Sequence, residues 1–305
     1  MAVRNQGSCF LCRGIDLVSM SYLRLNSGSL LRNVGYIIPA TVGALLSTVS
    51  ARFEEVYRPI SVNKKYFNRD VVYCRSCSTG HVLPLFSEDS LISYYSEFYW
   101  SNRDRVEGNH RPDEDRPNPI QLEWSNSRIA WIEEQDIKYS SVLDFGAGDC
   151  AATYALLQNK SADKVYVVDP SARAQELAIK YGATYSARLD DAPQVDLVYS
   201  AHSIEHVHDL LATIKKMIFT TCPGGYIFIE TPNIGDEAVF SGLVHTPHTF
   251  MISSRSVLKI VELMGLKIVS MEVTGPRWRD NFPKIRSEER TDLRVLLQTP
   301  TVRAI

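Results

Sequence analysis

The chain has 305 residues, of which 45% are hydrophobic and 22% are charged, and its formal net charge is -2. This apolar content is enough for a sizeable core, and the length favours two domains over one. The near-neutral charge excludes the basic field that non-specific nucleic-acid binding needs, so we expect no nucleic-acid partner. The first twenty residues do not have a basic run followed by an apolar core, as a signal peptide would, and we expect a cytoplasmic protein.

Four of the six cysteines form two C-x-x-C pairs in the first part of the chain. Cys9 and Cys12 make the first pair, and Cys74 and Cys77 make the second. Each pair can present two sulfurs to one point, about 2.3 Å from a tetrahedral metal ion. Zinc suits four thiolates, whereas disulfides are disfavoured in a chain without a secretion signal. We therefore expect one structural zinc bound by all four cysteines, with reduced free thiols as the alternative.

An uncharged stretch at residues 33–51 lies between the two cysteine pairs and is long enough to be tested as a membrane span. Several polar residues and a proline dilute its hydrophobicity, and a span would place the two cysteine pairs on opposite sides of a bilayer. We therefore expect no membrane insertion, and a segment that packs against protein or across a subunit interface. A homo-oligomer is compatible with this expectation.

An aromatic segment and a charged segment follow the second cysteine pair. Four aromatic residues have the spacing of one helix face: Tyr94, Tyr95, Phe98 and Tyr99. Such a face favours core packing over a substrate-stacking platform. Residues 101–119 are dense in charge and proline, which is typical of a linker. The sequence thus predicts a first domain at 1–100, this linker, and a second domain at 120–305.

The second domain alternates predicted strands with predicted helices. The strand candidates are apolar runs at 141–146, 164–169, 196–201, 225–230, 266–273 and 294–299. The helix candidates lie at 151–159, 171–181, 207–219 and 254–264. Near-continuous apolar strands separated by helices predict an α/β fold with a mostly parallel, Rossmann-like sheet covered on both faces.

A glycine turn follows the first of these strands, in the sequence SVLDFGAGDC. Asp144, Gly146 and Gly148 lie where the strand gives way to a helix, so the backbone there can approach a ligand closely. The next strand ends at Asp169, and an acid at this place in a Rossmann-like unit accepts hydrogen bonds from ribose hydroxyls. Dinucleotide binding favours a third glycine where Cys150 stands, and Asp144 suits a ligand with an ammonium group. A tight turn with a capping acid is the alternative.

At these positions the chain resembles the class I S-adenosylmethionine-dependent methyltransferases. The resemblance rests on VLDFGAGDC, on VYVVDPS, on DLVYSAHSIEHVHDL, on PGGYIFIETPN and on HTPHTFMISSRSVLKIVELMG, and it covers residues 120–305. Cys150 departs from the family's usual third glycine. The resemblance implies S-adenosylmethionine as the cofactor. The residues that it implies at the cofactor site are Asp144, Phe145, Gly146, Gly148, Asp169, Pro170 and Ser200.

The first domain adds a second resemblance. Two distant C-x-x-C pairs, then GHVLPLF and a tyrosine-rich helix, resemble the zinc-binding domain of bacterial sugar methyltransferases. Relatives that methylate carbon on nucleotide sugars usually carry a further C-terminal domain, and we expect this chain to have no room for one. The resemblance therefore implies O-methylation of a sugar or sugar-containing small molecule. The alternatives are a C-methyltransferase on a nucleotide sugar, a nucleotide-sugar oxidoreductase, and a zinc-ribbon binding or RNA-modification protein.

Transfer of a methyl group to a sugar hydroxyl benefits from a general base, and histidine has a suitable pKa. Five histidines lie at the predicted carboxyl edge of the sheet: His202, His206, His208, His245 and His248. His202 and His206 are expected on one helix face, at i and i+4, beside Glu205. His206 and His248 match family positions near the acceptor, and we predict these two and His245 as catalytic candidates. A histidine pair that caps a helix or binds a metal is the alternative.

Overall fold

The computed structural model describes residues 8–21, 69–98, 116–233, 248–274 and 291–302. The strands, in chain order, are β1 (Leu17–Ser21), β2 (Asp70–Cys74), β3 (Thr79–Leu83), β4 (Ser141–Phe145), β5 (Lys164–Val168), β6 (Thr184–Ser186), β7 (Val195–Ala201), β8 (Thr221–Asn233), β9 (Phe250–Met251), β10 (Lys267–Thr274) and β11 (Thr291–Gln298). The helices are α1 (Glu88–Ser93), α2 (Pro119–Glu133), α3 (Ala151–Gln158), α4 (Ala172–Tyr181), α5 (Leu210–Thr220) and α6 (Ser254–Met264).

A seven-stranded sheet carries the second half of the chain, in the order β10-β11-β8-β7-β4-β5-β6. The strands from β8 to β6 run parallel, and β10 and β11 pair antiparallel at one edge. All six predicted strands and all four predicted helices are present, so the predicted α/β fold with a mostly parallel sheet is confirmed. Strands β1, β2, β3, β6 and β9 and helix α2 were not predicted, and helix α1 lies directly before the predicted tyrosine-rich face.

Both faces of the large sheet are covered, because neighbouring residues of its strands enter different hydrophobic clusters. Val142 packs in a cluster with helices α2 and α3, whereas Leu143 packs in a cluster with helices α5 and α6. Phe228 and Ile227 on β8 divide in the same way. Side chains alternate between the faces of a strand, so near-continuous apolar runs are what a sheet covered on both faces requires.

A small antiparallel sheet, in the order β1-β2-β3-β9, lies at the four cysteines. Its first three strands come from the predicted first domain, and its fourth, β9, comes from the predicted second domain. Gly80 pairs with Met251, and His81 pairs with Phe250. The predicted boundaries at 100 and 120 stay a prediction, but the two parts of the chain share this sheet.

Several sequence predictions fall outside the described residues. These are the uncharged segment 33–51, most of the linker 101–119, Tyr99 and His245. Within the described ranges, helix α1 is followed by one π-helical turn at Tyr94–Phe98. None of the helices in these ranges combines the length and the apolar character that a membrane crossing requires.

Candidate functional site

The glycine turn after β4 is held between β5 and the loop that follows β7. Gly146 lies in the left-handed region at φ +72°, and its amide donates to the carbonyl of Val168 at 2.7 Å. A Cβ atom on Gly146 would lie 2.3 Å from the hydroxyl oxygen of Ser203, so a side chain would have to displace Ser203 as well as adopt a left-handed φ. The Ser203 hydroxyl donates to the Gly146 carbonyl at 3.2 Å. The turn therefore packs directly against the loop after β7.

Asp169, the predicted ribose acceptor, lies immediately after β5 and beside this turn. One carboxylate oxygen accepts the amide of Gly148 at 2.9 Å, and the other accepts the amide of Ser171 at 2.8 Å. Burial raises the pKa of Asp169, although these hydrogen bonds oppose the rise. Each oxygen retains a further lone pair, so the carboxylate can also accept ligand hydroxyls. Pro170 follows it as an exposed residue.

Asp144, predicted to suit an ammonium group, contacts helix α3. Asp144 is 2% exposed, and its carboxylate accepts a hydrogen bond from the Thr153 hydroxyl at 2.7 Å. Burial raises the pKa of Asp144 to about 7. This hydrogen bond fastens the start of α3 to the end of β4 and so holds the turn between them. A direct contact of Asp144 with a cofactor stays a prediction.

The other predicted cofactor residues end neighbouring parallel strands. Phe145 is the last residue of β4, and Ser200 lies next to last in β7. The Ser200 hydroxyl is buried and has no hydrogen-bond partner among the described residues. Such a group is costly unless a ligand or water satisfies it. The predicted cofactor residues thus meet at the carboxyl ends of β7, β4 and β5, where ligands bind in open parallel sheets, and they fit a nucleoside ligand.

His206 and His248 lie together beside a buried carboxylate. Their ring centroids are 4.8 Å apart, and Nε2 of His206 lies 3.6 Å from Oε1 of Glu205. Glu205 is 1% exposed, and its other oxygen accepts the Thr231 hydroxyl at 3.1 Å. The ring centroid of Tyr95 lies 5.7 Å from that of His206. The ligand atoms of the two histidines and Glu205 lie within 4.8 Å of one another, so this group can take part in proton transfer or hold a metal ion.

The loop after β7 does not form the helix that was expected to align His202 with His206. His202 has φ +53°, and only Ile204–His206 forms a short 3₁₀ turn. The amide of His202 donates to the carbonyl of Glu230 at 2.7 Å, which continues the pairing of β7 with β8 and delays any helix. The predicted i, i+4 pairing is therefore wrong. His245, outside the described residues, stays a prediction.

A buried charged network that the sequence analysis did not predict lies next to these histidines. Glu230 on β8 accepts from Nε of Arg128 on α2, at 2.5 Å, and from Nε of Arg294 on β11. Nε2 of His202 lies 3.3 Å from Glu230 and 3.8 Å from Asp292. Burial opposes a charge on His202, but the surrounding carboxylates outweigh it and raise its pKa to about 10. These carboxylates thus favour the protonated form of His202, which opposes a role as general base.

The four cysteines of the predicted metal site converge on one point. Sγ of Cys9 lies 3.7 Å from Sγ of Cys77, and Sγ of Cys12 lies 3.5 Å from Sγ of Cys74. Sulfurs that are each about 2.3 Å from a tetrahedral ion are about 3.8 Å apart, whereas disulfide sulfurs are about 2.05 Å apart. The hydrogen bond between Cys9 and Cys77 lowers the pKa of Cys9 to about 5 and raises that of Cys77, and burial raises the pKa of Cys74.

Backbone amides of the first pair also point at its sulfurs. The amide of Leu11 donates to Sγ of Cys9 at 3.4 Å, and the amide of Gly14 donates to Sγ of Cys12 at 3.3 Å. Hydrogen bonds of this kind stabilise the charged form of the acceptor. The spacing of the sulfurs and these donors fit a tetrahedral metal ion such as zinc.

Several solved structures have folds similar to this one. An S-adenosylmethionine-dependent methyltransferase from Mesorhizobium loti is 16% identical, with a TM-score of 0.44 over 58% of this chain and 97% of that chain. One from Clostridium acetobutylicum is 12% identical, with a TM-score of 0.46 over 65% of this chain and 96% of that chain. The plantazolicin methyltransferase BpumL, solved in complex with SAH, is 8% identical, with a TM-score of 0.46 over 70% of this chain and 95% of that chain. At these TM-scores the likenesses are too distant to carry an argument.

A protein-family model matches most of the sequence that forms the large sheet. Residues 122–271 match the family described as "Methyltransferase domain". No curated protein is similar enough in sequence to count as a relative. The matched segment begins in α2, ends in β10, and contains the glycine turn, Asp169, Glu205 and His248. Residues 122–271 therefore match a methyltransferase domain, and their α/β sheet has the fold predicted for class I methyltransferases.

Proposed function

We propose that this protein transfers the methyl group of S-adenosylmethionine to a hydroxyl of a sugar or sugar-containing small molecule. We also propose that it acts in the cytoplasm, on a small-molecule acceptor rather than on nucleic acid. The observation that carries the proposal is the pair of His206, on the loop after β7, and His248, just before β9, beside the buried Glu205. A methyltransferase for a weakly acidic hydroxyl needs a proton acceptor at this edge of the sheet.

S-adenosylmethionine, when bound, would supply an activated methyl group, whose bond to sulfur would break as its bond to the acceptor oxygen forms. The protein must align the acceptor and remove its proton. A neutral imidazole of His206 or His248 accepts this proton, and the negative charge of Glu205 stabilises the imidazolium that forms.

The backbone places these histidines relative to the turn. The amide of His206 donates to the Ser203 carbonyl at 3.1 Å, and the Ser203 hydroxyl donates to the Gly146 carbonyl at 3.2 Å. His206 therefore lies three residues after Ser203, which is itself hydrogen-bonded to the glycine turn. Tyr95, from the first part of the chain, packs beside the ring of His206.

For the four cysteines we propose one structural zinc ion. Two C-x-x-C pairs fill all four positions of a tetrahedral ion, so the ion has no open position for substrate. Cys9, Cys74 and Cys77 are buried, and Cys12 is partly buried, so the ion would lie within the fold.

A first experiment tests the cofactor and the acceptor class. Isothermal calorimetry should show binding of S-adenosylmethionine and not of nicotinamide dinucleotides. Methyl-labelled S-adenosylmethionine is then incubated with a panel of nucleoside diphosphate sugars, free sugars and structured RNA. We expect label on a sugar, at an oxygen by NMR. Label on a sugar carbon would replace O-methylation with C-methylation, and label on RNA alone would overturn the proposed acceptor.

A second experiment tests the base. On the acceptor found in this way, His206→Ala or His248→Ala should lower turnover by about 10²–10⁴ with little change in affinity for S-adenosylmethionine. His208→Ala is the matched control, because this exposed histidine lies in the same loop and its ring contacts the carbonyl of Phe86. Near wild-type turnover of both variants would show that neither of these histidines is the base.

A further inference from the structure

The four-cysteine cluster is hydrogen-bonded to the start of helix α6. The Thr79 hydroxyl lies 3.2 Å from Sγ of Cys77 and donates to Oγ of Ser256 at 2.8 Å. The Ser256 hydroxyl is within reach of the carbonyls of Cys77, at 3.3 Å, and of Ser78, at 3.1 Å. Thr79, Ser78 and Ser256 are all 0% exposed. Because water does not reach these groups, the second cysteine pair and the N-terminus of α6 hold each other in place.

Backbone hydrogen bonds then join strand β3, which begins at Thr79, to the residues that follow His248. The amide of Val82 donates to the carbonyl of Thr249 at 3.0 Å, directly before the β3–β9 pairs. Phe10, from the loop of the first cysteine pair, packs against Phe250, with ring centroids 5.4 Å apart. Its ring centroid also lies 5.0 Å from that of His81 on β3. Both cysteine pairs therefore contact the segment that begins at His248.

On its other side this segment meets the methyltransferase site. The amide of Thr249 donates to the carbonyl of Glu205 at 2.7 Å, and Asn233 bridges to Ile252. The ring of His248 lies 4.8 Å, between centroids, from that of His206. The short segment from His248 to Ile252 thus lies between the cysteine cluster and the active-site loop, and it contacts both.

From these contacts we propose that the metal-loaded cysteine cluster positions the active-site segment 248–252, with Thr79 and Ser256 as positioning residues. The proposal rests on the proposed function, since it takes zinc at the cysteines and His248 at the acceptor. Metal at the cluster fixes the Cys77–Thr79 turn, which fixes β3 and the start of α6. Together these fix the backbone that carries His248. Loss of metal then disorders the acceptor side of the site while the cofactor turn, held by β5 and α3, stays intact.

Hydrogen–deuterium exchange on the full chain tests this directly. Zinc is removed with a chelator, its loss is confirmed by elemental analysis, and Zn²⁺ alone is added back. We expect exchange in peptides covering 248–256 to rise about 10-fold or more and to recover with zinc, while peptides covering 141–150 do not change. Unchanged exchange at 248–256 after confirmed metal loss would overturn the proposal. Equal loss of protection in both regions would also overturn it, because the effect would then be general unfolding.

Two matched variants of one residue separate positioning from metal binding. Thr79→Val keeps the shape of the side chain but removes its hydroxyl, whereas Thr79→Ser keeps the hydroxyl. In zinc-loaded protein we expect faster exchange at 248–256 for the valine variant and wild-type exchange for the serine variant. Ser256→Ala should behave like the valine variant and provides a second test if that variant does not fold. Fast exchange with serine, or slow exchange with both valine and Ser256→Ala, would refute the role of these hydroxyls.

Calorimetry distinguishes this inference from the proposed function on which it rests. Zinc-free protein and the Thr79→Val variant should bind S-adenosylmethionine with wild-type affinity and, once the acceptor is known, turn over about 10²-fold more slowly, as expected of a misplaced catalytic group, whereas Thr79→Ser should turn over like the wild type. If wild-type protein does not bind S-adenosylmethionine, the proposed function fails whatever the exchange data show. If it binds and transfers methyl groups equally well without zinc, only the positioning role fails.

Discussion

The substitution Asp169→Asn tests the cofactor site with little change in shape. The carboxylate lies at the end of β5 and already accepts two backbone amides, at 2.9 and 2.8 Å. Hydrogen bonds to a charged group contribute about 1.5–3 kcal/mol. If the ribose hydroxyls rely on this charge, the asparagine variant should lose about 1.5–3 kcal/mol of binding energy for S-adenosylmethionine, or about 10- to 150-fold in Kd. Isothermal calorimetry at constant pH and salt measures the change.

Asp163→Asn provides the matched control, because Asp163 is exposed just before the other end of β5 and has its amide bonded to Ser140. The Kd of the Asp163→Asn variant for S-adenosylmethionine should equal that of the wild type. Burial raises the pKa of Asp169, so the carboxylate becomes protonated at a higher pH than an ordinary aspartate does. The affinity of the wild type for S-adenosylmethionine should therefore weaken as pH falls, and the loss should begin above the usual pKa range of an aspartate. An unchanged Kd for Asp169→Asn in a folded protein would remove Asp169 from the cofactor site. An equal loss in the control would show that the effect is not specific to the site.

Three other substitutions and one control substitution test the metal, the turn and the buried charges. Purified protein should contain about one zinc per chain, and Cys74→Ser should lower this content by elemental analysis while calorimetric affinity for S-adenosylmethionine stays unchanged. The pKa of Asp144 is raised from 3.8 to about 7, so the folded state holds an extra proton between these values and wild-type stability should fall as pH rises through that range. In urea unfolding at several pH values, Asp144→Asn should reduce this dependence of the unfolding free energy on pH. The same pH dependence in the variant and the wild type would contradict the prediction. Glu230→Gln leaves two buried arginines without their carboxylate and should destabilise the fold by about 3–5 kcal/mol. The control is Glu272→Gln, at a partly exposed contact of 3.8 Å to Arg294, which should change the unfolding free energy by less than about 1 kcal/mol. Similar losses of stability in the Glu230 and Glu272 variants would refute the special role of the buried carboxylate.

Local signals in the sequence were sufficient for most of the large sheet. The helix predicted at 254–264 is observed at Ser254–Met264, because Ser253 caps its start and Gly265, at φ +64°, ends it. The helix predicted from 207 begins instead at Leu210, since the carboxylate of Asp209 accepts the amide of Ala212 at 2.9 Å. The glycine turn and Asp169 could be placed at strand ends because their signals lie within short segments, and their contact with a cofactor stays a prediction.

Contacts between distant residues were beyond this kind of inference. Arg294 and Glu230 form a cross-strand pair of β11 and β8, and only the register of two antiparallel strands brings them together. The available signal was a charge inside each apolar run, in GYIFIE and RVLLQT, but neither run specifies its partner. Strand β9 has two residues and no alternating pattern, so its pairing with β3 depends on the surrounding fold. His202 was misplaced because spacing alone does not show that β-pairing continues past β7.

The position of β9 has a consequence for how the chain acquires its structure during synthesis. Strand β3 can pair with β9 only after Met251, the partner of Gly80, has been synthesised. Three strands and four thiols are then exposed through the time needed to translate the whole intervening segment, and an open sheet edge at that stage is prone to mispairing. Early capture of metal by the nascent cysteine pairs would shorten the wait, because it closes a long loop before its last strand arrives. The supply of zinc during synthesis would then govern the yield of folded protein as well as its metal content.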